Sequence, residues 1–228
     1  MKKVFMASIL LLLLSSSLYS QFGIRGGLAL STWTGNDKSL PLSAITSSSG
    51  SGTIDPTTRT GFAGGISDKI SLLLGLSIEP GVYYVQAGSV YEIPNTPMSY
   101  MGYTVALSGK ATQKIDYIQI PVVIKYSFPT PIVSPYLEGG IAYNVLLSAK
   151  TKAEITVSFG GASQTSSNET DVKDSFNKSD VSIVLGAGAE ISIIDVNARL
   201  VLGQTTLDKN SQAKVYNRTI LLTAGLRF

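Results

Sequence analysis

The sequence contains no histidine and no cysteine among its 228 residues. The absence of histidine excludes catalytic triads and dyads that use imidazole as general base, and it excludes imidazole-based zinc or iron sites. The absence of cysteine excludes disulfide bonds and thiolate metal sites. Catalysis by carboxylates alone stays open, but no paired-carboxylate spacing indicates it. We therefore predict no enzyme, no cofactor and no bound metal.

The chain also has little net charge and few long apolar runs. It has 18 basic and 15 acidic residues, a net charge of +3, so we predict no nucleic-acid partner. Its longest apolar run, Val4–Leu14, is shorter than the roughly 20 residues that a membrane-spanning helix needs. A membrane location would therefore require a closed β-barrel, because an open sheet leaves backbone groups unpaired in hydrocarbon.

The N-terminus has the order of a secretory signal peptide. Met1-Lys2-Lys3 is basic, Val4–Leu14 is apolar, and Ser15–Ser20 is rich in small residues. This order predicts export with cleavage after Ser20. Residues 1–20 are then the signal peptide, and residues 21–228 form one domain.

After Gln21 the hydrophobic pattern has a period of two, which is typical of β-strands. In the last segment Phe228, Leu226 and Leu222 share one face, opposed by Arg227 and Thr223 on the other. Eight segments alternate in this way, with the second the weakest: 24–31, 59–67, 71–84, 117–128, 137–147, 181–193, 196–203 and 217–228.

The face opposite the apolar one is rich in glycine, alanine and serine and poor in the lysine and glutamate of a water-exposed surface. This composition favours an inverted barrel, with apolar side chains toward lipid and small groups in the lumen. The terminal Phe228 resembles the assembly signal of outer-membrane barrels, which implies the barrel-assembly machinery as a partner. A soluble lipocalin-like periplasmic binder, with its apolar face inward, is the alternative.

The predicted connections alternate in length. In chain order they are 34–58 (long), 68–69 (short), 88–112 (long), 129–135 (short), 150–179 (long), 194–195 (tight turn) and 208–213 (moderate). Membrane barrels separate short periplasmic turns from longer outside loops in this way. The sequence therefore predicts an all-β fold, a single eight-stranded antiparallel up-and-down transmembrane β-barrel in the outer membrane.

Charged residues on the small-residue face are predicted to lie in the lumen. They are Arg25, Glu79, Lys125, Glu138, Glu190 and Arg199. An eight-stranded barrel is just wide enough for its side chains to fill the interior, and a lone buried charge costs several kcal/mol. We therefore predict a salt-bridged plug, with transport of ions or protons through these groups as the alternative.

Short motifs along the chain resemble those of the outer-membrane β-barrel family that includes the PorT-like proteins of Gram-negative bacteria. The motifs are Gly23–Leu28, Gly61-Phe62, Ile78–Tyr84, Asp116–Pro121 with Lys125-Tyr126, Pro135–Leu137 with Gly139-Gly140, Leu185–Gly188, Ala198-Arg199 and Gly225–Phe228. Gly81 departs from the pattern, because members carry a larger residue there. The resemblance implies location and architecture and leaves the activity open.

Two roles in the outer membrane remain open at this stage. The first is a structural or surface-interaction barrel, with outer-membrane lipid and extracellular molecules as partners. The second is a small transport or secretion-accessory barrel, with secretion-system partners. Conductance of the purified protein would separate them.

Overall fold

The structure is a computed structural model that describes residues 20–41, 53–100, 103–128, 130–159, 162–210 and 212–228. The predicted signal peptide lies outside these residues except for Ser20, and it stays a prediction. No helix in the described part of the chain is both long enough and apolar enough to cross a membrane. Apart from one 3-10 helix, Lys173–Ser175, the described elements are strands.

The strands are β1 (Ser20–Thr34), β2 (Leu40–Pro41), β3 (Thr53–Ile54), β4 (Thr57–Ser71), β5 (Leu76–Tyr100), β6 (Tyr103–Ser127), β7 (Ser134–Phe159), β8 (Ala162–Asp171), β9 (Ser179–Ile191), β10 (Ile194–Gly203) and β11 (Tyr216–Arg227).

Eight of these strands form a closed antiparallel ring. The order is β6-β5-β4-β1-β11-β10-β9-β7, and the pairing of β6 with β7 closes it. Strand β8 lies outside the ring and pairs with β7, and β2 pairs with β3 as a separate ribbon. The predicted eight-stranded up-and-down barrel is confirmed.

The apolar faces of the strands point outward. Ile124 and Ile141 are 58% and 60% exposed on the outer wall, whereas Val123 and Lys125, which flank Ile124 and point to the other face, are fully buried. This arrangement is the reverse of a soluble cup, in which the apolar face lines the interior. The lipocalin-like alternative is therefore wrong, because its apolar side chains would be exposed to water.

Two short turns lie away from their predicted positions. We predicted turns at Asp68-Lys69 and Ile194-Asp195, but β4 continues to Ser71 and β10 begins at Ile194. The chain instead reverses at residues 72–75 and 192–193, where Leu74, Gly75 and Ser192 have positive φ angles. The predicted position at Asp68-Lys69 is wrong because β4 and β5 stay paired beyond it, as in the pair Ile70–Ile78, and the turn is moved to the end of this longer hairpin. The predicted strand residues Leu72 and Leu74 are consequently turn residues.

Two of the three long predicted connections consist largely of strands. Strands β5 and β6 stay paired as far as Tyr100 and Tyr103, and β7 continues to Phe159 before pairing with β8. The described residues within 88–112, and most of those within 150–179, therefore lie in paired strands instead of irregular loops. In the β7–β8 hairpin the hydroxyls of Thr156 and Thr165 and those of Ser158 and Ser163 form hydrogen-bonded pairs across the strands, which stabilise such hairpins. We call this end of the barrel the long-connection end and the opposite one the short-turn end.

Candidate functional site: the filled lumen

The inward side chains of the ring lie at four successive levels between the two ends. Each level follows from the strand register, which sets residues of neighbouring strands side by side. From the short-turn end these levels are a charged layer, a lower apolar layer, a polar layer and an upper apolar layer.

Glu79 lies at the centre of the charged layer and contacts four cations. Its Oε1 atom is 2.6 Å from Nη1 of Arg25 and 3.0 Å from Nη2 of Arg199. Its Oε2 atom is 2.9 Å from Nζ of Lys125 and 2.5 Å from Nη2 of Arg227. The side chain of Glu79 is only 1% exposed. These cations come from four different strands, so the single carboxylate links β1, β6, β10 and β11 to β5.

Asp195 is a second buried carboxylate in the same layer. Its Oδ2 atom is 2.8 Å from Nη2 of Arg25 and 2.7 Å from Nη2 of Arg227. Its Oδ1 atom accepts a hydrogen bond of 2.8 Å from the hydroxyl of Tyr136. The ring of Tyr136 in turn lies 3.8 Å from Nζ of Lys125, a cation–π contact.

Glu138 and Glu190 complete the layer. Arg199 donates to both oxygens of Glu138, at 2.5 Å from Nε and 3.0 Å from Nη2, in the bidentate geometry typical of strong arginine–carboxylate pairs. Glu190 contacts Lys69 at 2.6 Å and Lys125 at 3.3 Å. Its side chain is 13% exposed, because this pair lies closest to the short-turn end.

The charged layer therefore contains five cations and four carboxylates. The cations are Arg25, Lys69, Lys125, Arg199 and Arg227, and the carboxylates are Glu79, Glu138, Glu190 and Asp195. Taking such ions out of water costs several kcal/mol each, and close pairing with hydrogen bonds offsets that cost. The shared contacts therefore fix nearly all of these side chains in the lumen.

The lower apolar layer lies next to the charged layer. It consists of Ala29, Ala63, Tyr83, Val85, Val123, Ala142, Val184, Val201 and Leu221, each at most 3% exposed. Tyr83 connects the two layers, because its hydroxyl accepts a hydrogen bond of 3.3 Å from Nη1 of Arg25. Apart from this hydroxyl, the layer fills the lumen with apolar side chains that cannot solvate an ion.

The polar layer follows. The amide of Asn144 accepts from Gln119 at 2.9 Å and donates to the hydroxyl of Ser182 at 2.7 Å. Asp180 accepts from Ser182 at 3.0 Å and from the backbone N–H of Thr205 at 3.0 Å. These neutral donors satisfy the buried carboxylate of Asp180.

The upper apolar layer lies at the long-connection end. Ala87, Ile115, Tyr117, Leu146, Ala149, Leu207 and Val215 are buried there, with Trp33, Val172, Phe176 and Ala213 packed against them. The ring of Trp33 lies 6.0 Å from the rings of Tyr91 and Phe176. Leu207 and Phe176 belong to the connections, so this layer forms only where the loops fold over the ring.

The structure brings all six charges named from the sequence into one layer: Arg25, Glu79, Lys125, Glu138, Glu190 and Arg199. Sequence reasoning missed Asp195 and Lys69, because it assigned both residues to short turns. It also missed Arg227, although the alternation of the last strand already put this residue on the inward face. Its place in the alternation of that strand was the signal that could have identified Arg227 as a lumen residue.

A second feature lies beyond the ring, where β5, β6, β7 and β8 continue as a four-stranded antiparallel sheet. We call it the projecting sheet. It carries paired charges as well as the exposed apolar side chains of Ile155, Val157 and Phe159. Glu169 accepts from Lys114 at 2.7 Å and from Lys150 at 3.2 Å. These hydrogen bonds hold the pKa of the Glu169 carboxyl below its ordinary value.

Comparison with known proteins gives one family. The model of the family described as "Outer membrane protein beta-barrel domain" matches residues 14–208. No curated protein matches the chain.

Among solved structures, Ail, the attachment invasion locus protein of Yersinia pestis, is 16% identical with a TM-score of 0.37, over 92% of this chain and 100% of that chain. Neisserial surface protein A is 14% identical with a TM-score of 0.40, over 91% and 97%. The N-terminal β-barrel domain of Pseudomonas aeruginosa OprF is 10% identical with a TM-score of 0.33, over 90% and 97%.

Proposed function

Because this chain belongs to the outer membrane protein β-barrel domain family, we propose that it is a non-enzymatic surface barrel with a closed lumen. It is located in the outer membrane, where short turns face the periplasm and longer connections face outside. The projecting sheet is then its contact surface for extracellular molecules. Outer-membrane lipid covers the apolar wall.

The filled lumen is the observation that carries this proposal. A permeating ion would have to break the contacts of Glu79 and Asp195 and then pass the lower apolar layer around Val123 and Leu221. A hydrated solute has no room beside these side chains in an eight-stranded ring. The buried charges of the described lumen are paired with one another, which supports a structural role for them.

Conductance in a planar lipid bilayer tests the proposal. We expect the wild-type protein to give no sustained channels. The triple variant Glu79→Ala, Tyr83→Ala, Leu221→Ala removes side chains from two adjacent layers and serves as the opened control. Sustained channels from the wild-type protein would contradict a closed lumen and favour the transport or secretion-accessory role.

Two finer assignments belong to the same proposal. Phe228, 67% exposed on the outer wall, is proposed as the contact for the barrel-assembly machinery, and Phe228→Ala should lower the amount of protein recovered in outer-membrane fractions. The PorT-like grouping rests on the order of motifs such as Asp116–Pro121. Co-purification with secretion-system components would support that grouping. If no such components co-purify, only the surface role remains.

A further inference from the structure

Strand β8 forms one edge of the projecting sheet. It pairs with β7 without interruption from Lys150–Asp171 to Phe159–Ala162, and all ten of its residues are exposed. Within the described residues no strand pairs with its other side. One row of backbone N–H and C=O groups is therefore available to a further strand, as in β-strand addition.

The opposite edge of the sheet is protected. Beyond the pair Thr57–Val90, the outer part of β5 carries Pro94 and Pro97, and its register with β6 shifts between Ile93 and Thr96. Prolines and bulges are the usual means by which proteins prevent pairing at a sheet edge. Strand β8 has no proline, no lysine and no register shift along its length. The β5 edge of the sheet thus carries features that prevent the addition of a further strand, and the β8 edge lacks them.

We propose that β8 pairs antiparallel with β8 of a second copy of this chain in a facing membrane. This proposal rests on the proposed function, because it names the partner of the projecting sheet. The side chains of β8 are polar apart from Ala162 and offer no apolar anchor, so recognition occurs mainly through the backbone.

The charges of β8 favour the antiparallel arrangement. When the pairing is centred on Ser166 or Ser167, Glu169 lies opposite the hydroxyl of Ser163 or Thr165 of the other copy. In a parallel, in-register arrangement each Glu169 would lie beside the Glu169 of the other copy, and like charges at such positions destabilise a sheet. The antiparallel pairing avoids this repulsion.

The direction of β8 decides where the second copy is located. Strand β7 runs from the barrel wall at Ser134 to Phe159, and β8 returns toward the membrane. Copies in one membrane have the same orientation, so their β8 strands run the same way. An antiparallel pair therefore requires the two barrels to point toward each other from two membranes. The expected consequence is adhesion between cells or vesicles that both carry the protein.

Association of phosphatidylcholine vesicles tests this pairing. Two vesicle populations with different fluorescent lipids carry the full-length barrel, and light scattering and coincident fluorescence report their association. Wild-type vesicles should associate only when both populations carry protein. Ser167→Lys in both populations, or Ser167→Glu in both, should abolish association, because like charges meet near the centre of the pair. Mixing one variant with the other should restore it, because the introduced charges are then opposite.

The controls separate this proposal from the one it rests on. Asn210→Lys and Asn210→Glu change the charge of an exposed outer loop in the same way and should leave association unchanged. The pairing would be overturned if wild-type vesicles did not associate. It would equally be overturned if two vesicle populations that both carry Ser167→Lys still associated. Conductance is measured on the same samples: absence of channels leaves the closed surface barrel standing, whereas sustained channels count against it whatever the association shows.

Discussion

The substitution Glu79→Gln removes one negative charge from the centre of the charged layer and keeps the size of the side chain. Glu79 contacts Arg25, Lys125, Arg199 and Arg227 at 2.5–3.0 Å. After the substitution, five cations, four of them buried, share three carboxylates. Removing one partner of a buried ion pair costs about 3–5 kcal/mol, because a charge is left uncompensated.

We expect a loss of about 3 kcal/mol in the free energy of unfolding, at the lower end of that range. Other carboxylates still compensate the four cations in part. Arg25 and Arg227 keep Asp195, while Lys125 keeps Glu190. Arg199 likewise keeps its bidentate contact with Glu138.

Reversible urea unfolding in phospholipid vesicles measures this loss. The fluorescence of Trp33, the single tryptophan of the chain, follows the transition, because its ring packs 6.0 Å from Tyr91 and Phe176 at the far end of the lumen. A change at Glu79 therefore reaches the probe only through global unfolding.

Two further variants serve as controls. Glu190→Gln should cost less than Glu79→Gln, because the Glu190 side chain is 13% exposed and contacts Lys69 at the end of the layer. The double variant Glu79→Gln, Lys125→Met should recover part of the loss, because it also removes a neighbouring cation. If Glu79→Gln changes the unfolding free energy by less than about 0.5 kcal/mol, which is typical of surface substitutions, the charges are hydrated and the argument for a tight layer is refuted.

Three other predictions concern topology, packing and pH. In this cysteine-free chain, Ser167→Cys should react with a membrane-impermeant maleimide on intact cells while Leu73→Cys should not; the reverse result would show the opposite orientation. Gly27→Ala should lower stability by about 1–3 kcal/mol, as overpacking does, because its Cβ would collide with the backbone carbonyl of Leu222; urea unfolding equal to wild type would contradict this close approach. Since two lysines lower the pKa of Glu169, their stabilisation of β8 should be present above the ordinary glutamate pKa of about 4.3 and be lost as pH falls through the lowered value. NMR shifts of β8 amides check this, and a midpoint at or above the ordinary value would disprove it.

The positions of the short turns show where reasoning from the sequence failed. Turns are usually marked by glycine, proline, asparagine or aspartate, and we accordingly assigned Asp68 and Asp195 to them. The structure instead turns at Ser192-Ile193 and buries Asp195 beside Arg25. The energy that decides this lies in the pairing of β9 with β10 and in the ion contacts across the lumen. Both are non-local, and so neither is visible in a short stretch of sequence.

The sequence by itself determined which face of each strand is apolar, because alternation is a local property of successive side chains. From that alternation followed the eight strands. The small-residue composition of the opposite face indicated the inverted wall and, with it, the inward direction of residues such as Glu79 and Lys125. Only the tertiary structure decided which inward residues share a level, because the register between strands sets their heights in the lumen. For the same reason, only the folded chain revealed the role of Asp195 and the unprotected edge of β8.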